Sequence, residues 1–181
     1  MFSAQIRDGA FLRLLEERHT EEVFALVDRD REYLREWLPW VDATQSSDDT
    51  LSFIHSSLDQ YASNKSFAAG IWNEGHFCGV IGSHPIDWVN RKVEIGYWVG
   101  YDSQGLGLVS GACRIVIDHL FGELDLHRVV ISCATANEKS CAIAQRLNFS
   151  DEGIAREALL LHGRYHDLRR FAMLKQDWPL R

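Results

Sequence analysis

Residues 94–121 read EIGYWVGYDSQGLGLVSGACRIVIDHLF, in which a strand pattern leads through a glycine-rich loop into a helix pattern. Gly105 and Gly107 let the backbone of this loop come close to a ligand. The first N–H groups of the following helix have no intrahelical partner, and they carry a partial positive charge that suits phosphate. The segment therefore predicts an anion-binding turn, although a glycine turn without any ligand would give the same pattern.

Two common phosphate-binding motifs do not fit this loop. A Walker motif needs a lysine, and none lies within Gly100–Gly107. A dinucleotide-binding turn needs a third glycine and follows a first parallel strand. Here the strands predicted at Phe67–Trp72 and Phe77–Ile86 precede the segment as an antiparallel meander. Neither motif is therefore expected.

A second strand-to-helix junction lies at Ala136–Ser140, which reads ANEKS. Asn137 is a good N-cap for the helix that follows, and Asn148 can adopt the left-handed conformation that ends it. Both asparagines thus have structural roles that need no ligand. Together, however, the two junctions place two helix N-termini at the ends of neighbouring strands, where a crevice could hold a long ligand with phosphate and amide groups.

The whole chain predicts a mixed α/β (α+β) fold in one domain, residues 1–181, with a six- to seven-stranded twisted sheet and about four helices on both faces. The predicted strands are Phe11–Glu16, Phe67–Trp72, Phe77–Ile86, Lys92–Val99, Arg128–Ala134, Phe149–Glu157 and His166–Lys175. The predicted helices run from Thr20, as N-cap, to about Glu36, from after Asp48 through Tyr61, from the glycine loop to about Phe121, and over about Glu138–Leu147.

Composition excludes several classes of protein. The chain has 181 residues, a formal net charge of −7 and 46% hydrophobic residues, which fits one domain with its own core. No apolar run reaches the roughly 18 residues of a membrane span, and the N-terminal segment lacks the pattern of a signal peptide. The acidic balance disfavours nonspecific nucleic-acid binding. We therefore expect a cytoplasmic protein without membrane or direct nucleic-acid partners.

Cysteine and histidine spacing does not predict a metal site. Three of the four cysteines lie in apolar segments, so we expect buried thiols rather than a disulfide or metal ligands; the four are Cys78, Cys113, Cys133 and Cys141. The eight histidines show no metal-ligand spacing.

These segments resemble those of the Gcn5-related N-acetyltransferases, in particular the Rim-type branch that acetylates ribosomal-protein N-termini. The family's Q/R-x-x-G-x-G/A signature is similar to Gln104–Val109, its E-I-G-Y-W strand to Glu94–Trp98, and its N-E-K-S turn to Asn137–Ser140. That branch's closing hairpin resembles Gly163–Leu168, which reads GRYHDL. The resemblance covers nearly the whole chain, and it implies acetyl transfer to an amine.

The resemblance also implies acetyl-CoA as co-substrate, without a metal. Its pantetheine arm would pair with the strand at Trp98 and Val99, and Asn137 would hydrogen-bond it from the other side. In the family the two strands around this arm diverge, which leaves backbone groups for the ligand. Its pyrophosphate would bind backbone N–H groups of Gln104, Gly105, Leu106, Gly107, Leu108, Val109 and Ser110. Val109 stands where the family has Gly or Ala, so its side chain must point away from the phosphates or the loop must shift.

Glu94 is the first candidate for a general base, because it lies mid-strand beside the expected acetyl site, on one face with Gly96 and Trp98. An ion pair with Arg91 or Lys92 is the structural alternative for this carboxylate. His84, at the end of the preceding strand, is the second candidate base. A backbone N–H near Trp98 or Val99 could bind the oxyanion.

Ser140 is the candidate acid that protonates the CoA thiolate. Many relatives use a tyrosine whose position is Ala144 here, whereas Rim-type relatives have serine at the position of Ser140. A first-turn helix residue without a catalytic role is the alternative. Acetyl transfer through Cys141 is disfavoured, because no His or Asp is placed to activate the thiol.

The acceptor is expected between the first two helices and the loops of the meander. Residues predicted to contact it are Trp37, Trp40, Phe53, His84 and Trp88, although aromatic side chains between helices are often only core. The acidic balance suits a cationic amine or a basic peptide terminus. Three functions stay open: a protein N-terminal acetyltransferase of the ribosomal-protein type, an acetyltransferase for a polyamine, amino acid or antibiotic, and a non-catalytic acyl-CoA sensor. Dimers are usual in this family, so the resemblance also predicts a dimer.

Overall fold

The computed structural model describes residues 3–179, which form one eight-stranded sheet with five α-helices. The strands are β1 (Ser3–Arg7), β2 (Ala10–Leu14), β3 (Ala68–Asn73), β4 (His76–Ser83), β5 (Lys92–Val99), β6 (Arg128–Ala134), β7 (Ser150–Leu161) and β8 (Arg164–Leu174). The helices are α1 (Thr20–Arg29), α2 (Arg31–Arg35), α3 (Ser47–Ala62), α4 (Leu108–Gly122) and α5 (Glu138–Arg146). The mixed sheet is confirmed, but it has eight strands rather than six to seven, and five helices rather than four.

The N-terminal region accounts for both extra elements. The edge strand β1 has Ile6 as its one large apolar side chain, so no strand pattern stands out there. The helix predicted from Thr20 to about Glu36 is divided at Asp30 into α1 and α2. Thr20 is the first residue of α1 rather than its N-cap; the N-cap is His19. A short 3-10 helix at Glu17–His19 leads directly into α1, so the N-cap position falls one residue earlier than predicted.

The strands lie in the order β1-β2-β3-β4-β5-β6-β8-β7, and helices cover both faces of the sheet, as predicted. One core cluster joins α4 and α5 to the sheet and contains Val93 and Ile95 of β5. The opposite face packs against α1 and α3, with Ile54 fully buried in its cluster. Alternation along β5 therefore turns Tyr97 towards α4 and α5, and Trp98 towards α1.

The parallel pair β5–β6 separates part-way along its length. Their pairing joins Lys92 to Arg128 at one end and Glu94 to Val130 at the other, and it continues no further. Beyond Glu94, β5 stays paired with β4 through Val99, and β6 stays paired with β8. The facing edges of β5 and β6 thus leave backbone groups without strand partners, as the resemblance implies. We call this gap the wedge.

No helix among residues 3–179 is both long and apolar enough to cross a lipid bilayer. The same residues contain no group of three or more His, Cys, Asp or Glu side chains that could hold a metal ion. The four cysteines are buried free thiols, and the Cys133 and Cys141 Sγ atoms are 2.7 Å apart.

Candidate active site

The loop after β5 leaves the N-terminus of α4 without a side-chain cap. Gly107 occupies the N-cap position with a φ of 74°, and Gly105 has a φ of 72°. A Cβ at either glycine would meet no atom within 4 Å, so the space above the loop is open. By contrast, the Asn137 side chain caps α5 by accepting a hydrogen bond from Ser140 N at 3.1 Å. The helix end that offers free N–H groups is therefore that of α4, where an anion is stabilised.

Asp30 holds the start of this loop in place. Its Oδ2 accepts a hydrogen bond from Tyr101 N at 2.7 Å, and Arg29 donates to both of its carboxylate oxygens. The hydrogen bond from Arg29 lowers the pKa of Asp30, so the carboxylate stays charged. A Cβ at Gly100 would lie 2.7 Å from Asp30 Oδ2, which explains the glycine at that position. The break between α1 and α2 therefore positions the loop.

Two cationic side chains of α5 reach the beginning of α4. Lys139 Nζ donates to Gln104 Oε1 at 2.6 Å, and Arg146 Nη1 donates to Ser110 Oγ at 3.0 Å. Both are exposed. They add positive charge at the end of α4 that the helix dipole already makes positive. The site therefore suits a ligand with several phosphate charges.

The loop's apolar side chains point away from the open N–H groups or into solvent. Leu108 and Val109 are 1% and 9% exposed and belong to the core cluster of α4. Of the two alternatives for Val109, the structure shows the first: the side chain is buried in the core. Leu106 is 45% exposed on the outside of the loop. Valine in place of the family's Gly or Ala at position 109 thus does not obstruct the space above the glycine turn.

The wedge runs from Glu94 towards both helix N-termini. Val99 and Trp98 pair with Gly79 and Val80 of β4, which leaves their other strand edge facing the wedge. Asn137 lies beyond the end of β6 on the opposite side, where its backbone N donates to Ala134 O at 2.8 Å. An extended ligand that carries amide groups can satisfy these edges as a third strand would.

Ser140 lies in the first turn of α5, where Tyr97 contacts it from across the wedge. The Tyr97 hydroxyl donates to Ser140 O at 3.2 Å, and Ser140 Oγ donates to the Tyr97 hydroxyl at 3.4 Å. Burial raises the pKa of Tyr97 far above its ordinary value, so the phenol keeps its proton at neutral pH. Tyr97 therefore contacts Ser140 as a neutral group and fixes its position. Ala144 is fully buried, so it offers no group to the wedge.

Glu94 lies where the wedge begins, on the face of β5 that also carries Gly96 and Trp98. The alternative ion pairs do not form, because Arg91 binds Asp125 and Lys92 binds Asp87. Within residues 3–179, no hydrogen bond or ion pair engages the Glu94 carboxylate. Its backbone O accepts from His84 N at 2.9 Å, but the His84 side chain is exposed. The two candidate bases therefore lie beside each other, Glu94 half-buried and His84 exposed, and Glu94 stays the first candidate.

The aromatic residues predicted to contact the acceptor are divided between two places. The Trp40 ring lies 5.7 Å from the Trp98 ring, on the same face of the sheet as Glu94. Trp88 instead donates to Asn64 O at 2.8 Å, beside a cavity of about 330 Å³ that Val116 of α4 also lines. Trp37 is half-buried after α2, and Phe53 is 45% exposed on α3. Of the aromatic residues predicted to contact the acceptor, Trp40 is thus the one whose ring lies against a side chain of β5, that of Trp98.

The β7–β8 hairpin closes one side of the region around Trp40. At its tip, His162 Nε2 lies 2.7 Å from Arg35 O, and Nδ1 lies 3.5 Å from Asp42 Oδ2. Arg35 in turn donates two hydrogen bonds to Asp42, at 2.8 and 2.9 Å. These contacts join the hairpin to the turn that follows Trp40. The Glu94 face of the wedge is therefore bordered by both α2 and the hairpin.

Sequence reasoning missed four groups of this site, namely Asp30, Tyr97, Lys139 and Arg146. Strand alternation places Tyr97 opposite Glu94, but the contact with Ser140 depends on how α5 packs. Lys139 belongs to the N-E-K-S turn, and its positive charge near Asn137 could have indicated that it helps to bind an anion. Asp30 lies far from the loop in sequence, and no local pattern connects them.

A family model described as "Acetyltransferase (GNAT) domain" matches residues 10–150. The chain belongs to this family, and it is an N-acetyltransferase.

Named relatives lie close in sequence and structure. A Bacillus subtilis (strain 168) protein provisionally named as a ribosomal N-acetyltransferase, YdaF, is 37% identical over 98% of each chain. The ribosomal-protein-serine acetyltransferase of Escherichia coli (strain K12) is 28% identical over 94% of this chain and 95% of its own. The structure of RimL, a ribosomal L7/L12 alpha-N-protein acetyltransferase in complex with coenzyme A, matches with a TM-score of 0.92 and 26% identity, over 96% of this chain and 98% of that one.

Proposed function

We propose that the protein transfers the acetyl group of acetyl-CoA directly to a primary amine, and that this amine is a protein N-terminus of the ribosomal-protein type. The observation that carries the proposal is the wedge, which opens beside Glu94 and leads to the uncapped N-terminus of α4. The similarity to ribosomal-protein acetyltransferases supports the choice of acceptor.

The residues fit an extended thioester with a phosphate group at its far end. The N–H groups from Gln104 to Ser110 would bind the pyrophosphate, and Lys139 and Arg146 would add positive charge around it. The free edge of β5 at Trp98 and Val99 would hydrogen-bond the pantetheine amides. In this pose the thioester would lie in the wedge, between Glu94 at its beginning and Ser140 in the first turn of α5.

Three groups of the chain would then carry the chemistry. Glu94, directly or through one water, removes a proton from the acceptor ammonium. A backbone N–H of β5 near Trp98 stabilises the oxyanion that forms as the amine attacks. Ser140 Oγ gives its proton to the departing sulfur and is reprotonated from solvent. An α-amine has an ordinary pKa of about 8, so part of it is already neutral near pH 7, and a weak base is enough to deprotonate the rest.

The charge around the acceptor region supports a cationic substrate. The chain carries a net charge of −7, and Glu94 has no partner within residues 3–179. The Trp40–Trp98 pair adds aromatic faces that attract ammonium groups. The same features favour a polyamine, so a small cationic amine is the second candidate acceptor.

Thiol release distinguishes these acceptors. We would incubate the protein with acetyl-CoA and measure free CoA with peptides that have free or blocked N-termini, and with polyamines. The proposal expects release with free N-termini and loss on blocking. Faster release with polyamines would favour the second candidate. Binding of acetyl-CoA without release in the presence of any amine would favour a sensor.

We predict that Lys139→Gln and Arg146→Gln each raise the Kd of acetyl-CoA about 1.4-fold to fivefold at low salt, because an exposed charge contact contributes about 0.2–1 kcal/mol. Calorimetry in low and high salt would check this, since added salt should shrink the difference. Lys175→Gln is the matched control, because Lys175 binds Asp125 elsewhere in the fold. Equal affinities for both variants and wild type would remove these cations from the binding site.

A further inference from the structure

Gly96 is a glycine in the interior of the sheet whose presence the fold itself does not explain. Glycine weakens a strand, because it loses much backbone entropy and packs no side chain. It is usually kept there for a bulge, for a left-handed conformation, or because another backbone or a ligand comes close. Each of these reasons can be checked for Gly96.

The first reasons do not apply. β4 and β5 pair in regular register through Gly82 and Gly96, without a bulge. Gly96 is not among the glycines with a positive φ. A Cβ at Gly96 would meet no atom of residues 3–179 within 4 Å, whereas one at Gly82 would lie 2.8 Å from Phe67 O. Close packing thus explains Gly82, and only an approaching ligand is left to explain Gly96.

The surroundings of Gly96 indicate which ligand this is. Glu94 and Trp98 flank it on the same face of β5, and the Trp40 ring lies tilted at 5.7 Å from the Trp98 ring. Gly96 itself is exposed, although β4 covers one edge of its strand. Its other edge faces the wedge, which begins at Glu94. The open space therefore lies between an unpaired carboxylate, an aromatic pair and the narrow end of the wedge.

We propose that Gly96 determines acceptor specificity: its missing side chain leaves the space through which a primary ammonium and its α-carbon reach the thioester. This inference rests on the proposed function. Glu94 binds the ammonium from one side, and the indole of Trp98 contacts it from the other. Acetyl-CoA, bound along the free edge of β5 as proposed above, would lie in the plane of the sheet and leave this space open. A side chain at position 96 therefore obstructs the acceptor and leaves the co-substrate in place.

The test compares Gly96→Ala and Gly96→Val with wild type. We expect the KM of the amine acceptor to rise about tenfold for alanine and further for valine, as when a methyl group is added to a filled pocket. The Kd of acetyl-CoA should stay within about twofold, and the thermal midpoint should not fall, because both residues suit a strand better than glycine.

Gly122→Ala is the matched control, because Gly122 also has open space around a Cβ and ends α4 away from the wedge. An unchanged acceptor KM in both Gly96 variants, with wild type active, would overturn this inference and leave the proposed function standing. A Kd of acetyl-CoA that rises together with KM would also overturn it, since the space would then belong to the co-substrate. Wild-type protein that acetylates no amine overturns both proposals.

Discussion

Replacing Ser140 by alanine should lower kcat roughly a hundredfold and leave the Kd of acetyl-CoA within about twofold of wild type. Loss of a general acid typically costs about 10²–10⁴-fold. The change removes only the hydroxyl: the Ser140 N–H still donates to Asn137, so α5 keeps its cap. Ser140 O also stays in reach of the Tyr97 hydroxyl. We therefore attribute the expected fall in kcat to slower proton transfer to the departing sulfur rather than to a change in the structure of α5.

Steady-state rates and calorimetry on the same preparation would check this split between kcat and affinity. Ser52→Ala is a suitable control, since Ser52 is exposed on α3 and its hydroxyl bonds only Asp48 O among the described residues. An unchanged kcat in Ser140→Ala would remove this residue as the acid. A parallel rise in the Kd of acetyl-CoA would show instead that the hydroxyl binds the co-substrate.

Replacing Glu94 by glutamine should lower kcat/KM about a hundredfold or less at neutral pH, the lower end of the usual 10²–10⁴-fold for a general base, because part of an α-amine with a pKa of about 8 is already neutral. Glutamine has nearly the same shape and cannot accept the ammonium proton. The carboxylate has no partner within residues 3–179, so no ion pair is lost, and stability should change little. The part of the acidic limb of the pH–rate profile that comes from this carboxylate should disappear.

A full pH–rate profile of wild type and Glu94→Gln is the measurement. Glu21→Gln, a change in the exposed first turn of α1, controls for the altered net charge. An unaltered acidic limb would mean that the proton goes to His84 or to bulk water. The variant His84→Gln would then separate those two, because only a histidine base would move the limb.

The central part of the fold could be predicted from sequence because local patterns there are strong. β5 and β6 have the predicted bounds, Lys92–Val99 and Arg128–Ala134, since both are apolar runs bounded by turn residues. α5 begins at Glu138, as the N-cap Asn137 indicates. The glycine loop leads into α4 for the same local reason.

Elements whose form depends on distant partners could not be predicted. Asp30 stands at the break of the first helix, and its carboxylate binds Tyr101 N, a distant contact that no local pattern reveals. β7 runs on to Leu161 rather than Glu157, through two irregularities in its pairing with β8. The contact of His162 with Arg35 O likewise depends on how the hairpin folds over α2.

The candidate site divides in the same way. Residues along one strand or one helix turn, such as Glu94 and Ser140, follow from alternation and capping. Side chains that meet across the wedge, such as Tyr97 and Ser140, depend on how α5 packs. Sequence cannot assign Trp40 and Trp88 to different places, because the path of the chain after α2 decides where each one lies.

The most direct test of the central claim, that the wedge binds a coenzyme A thioester through main-chain amides, is isothermal titration of CoA and acetyl-CoA into the folded protein. The account predicts saturable heat with one ligand per chain for both, and weaker binding when Gly107 is replaced by valine, which is strained at a φ of 74°. Absence of heat from either ligand, with circular dichroism showing a folded sample, would contradict it.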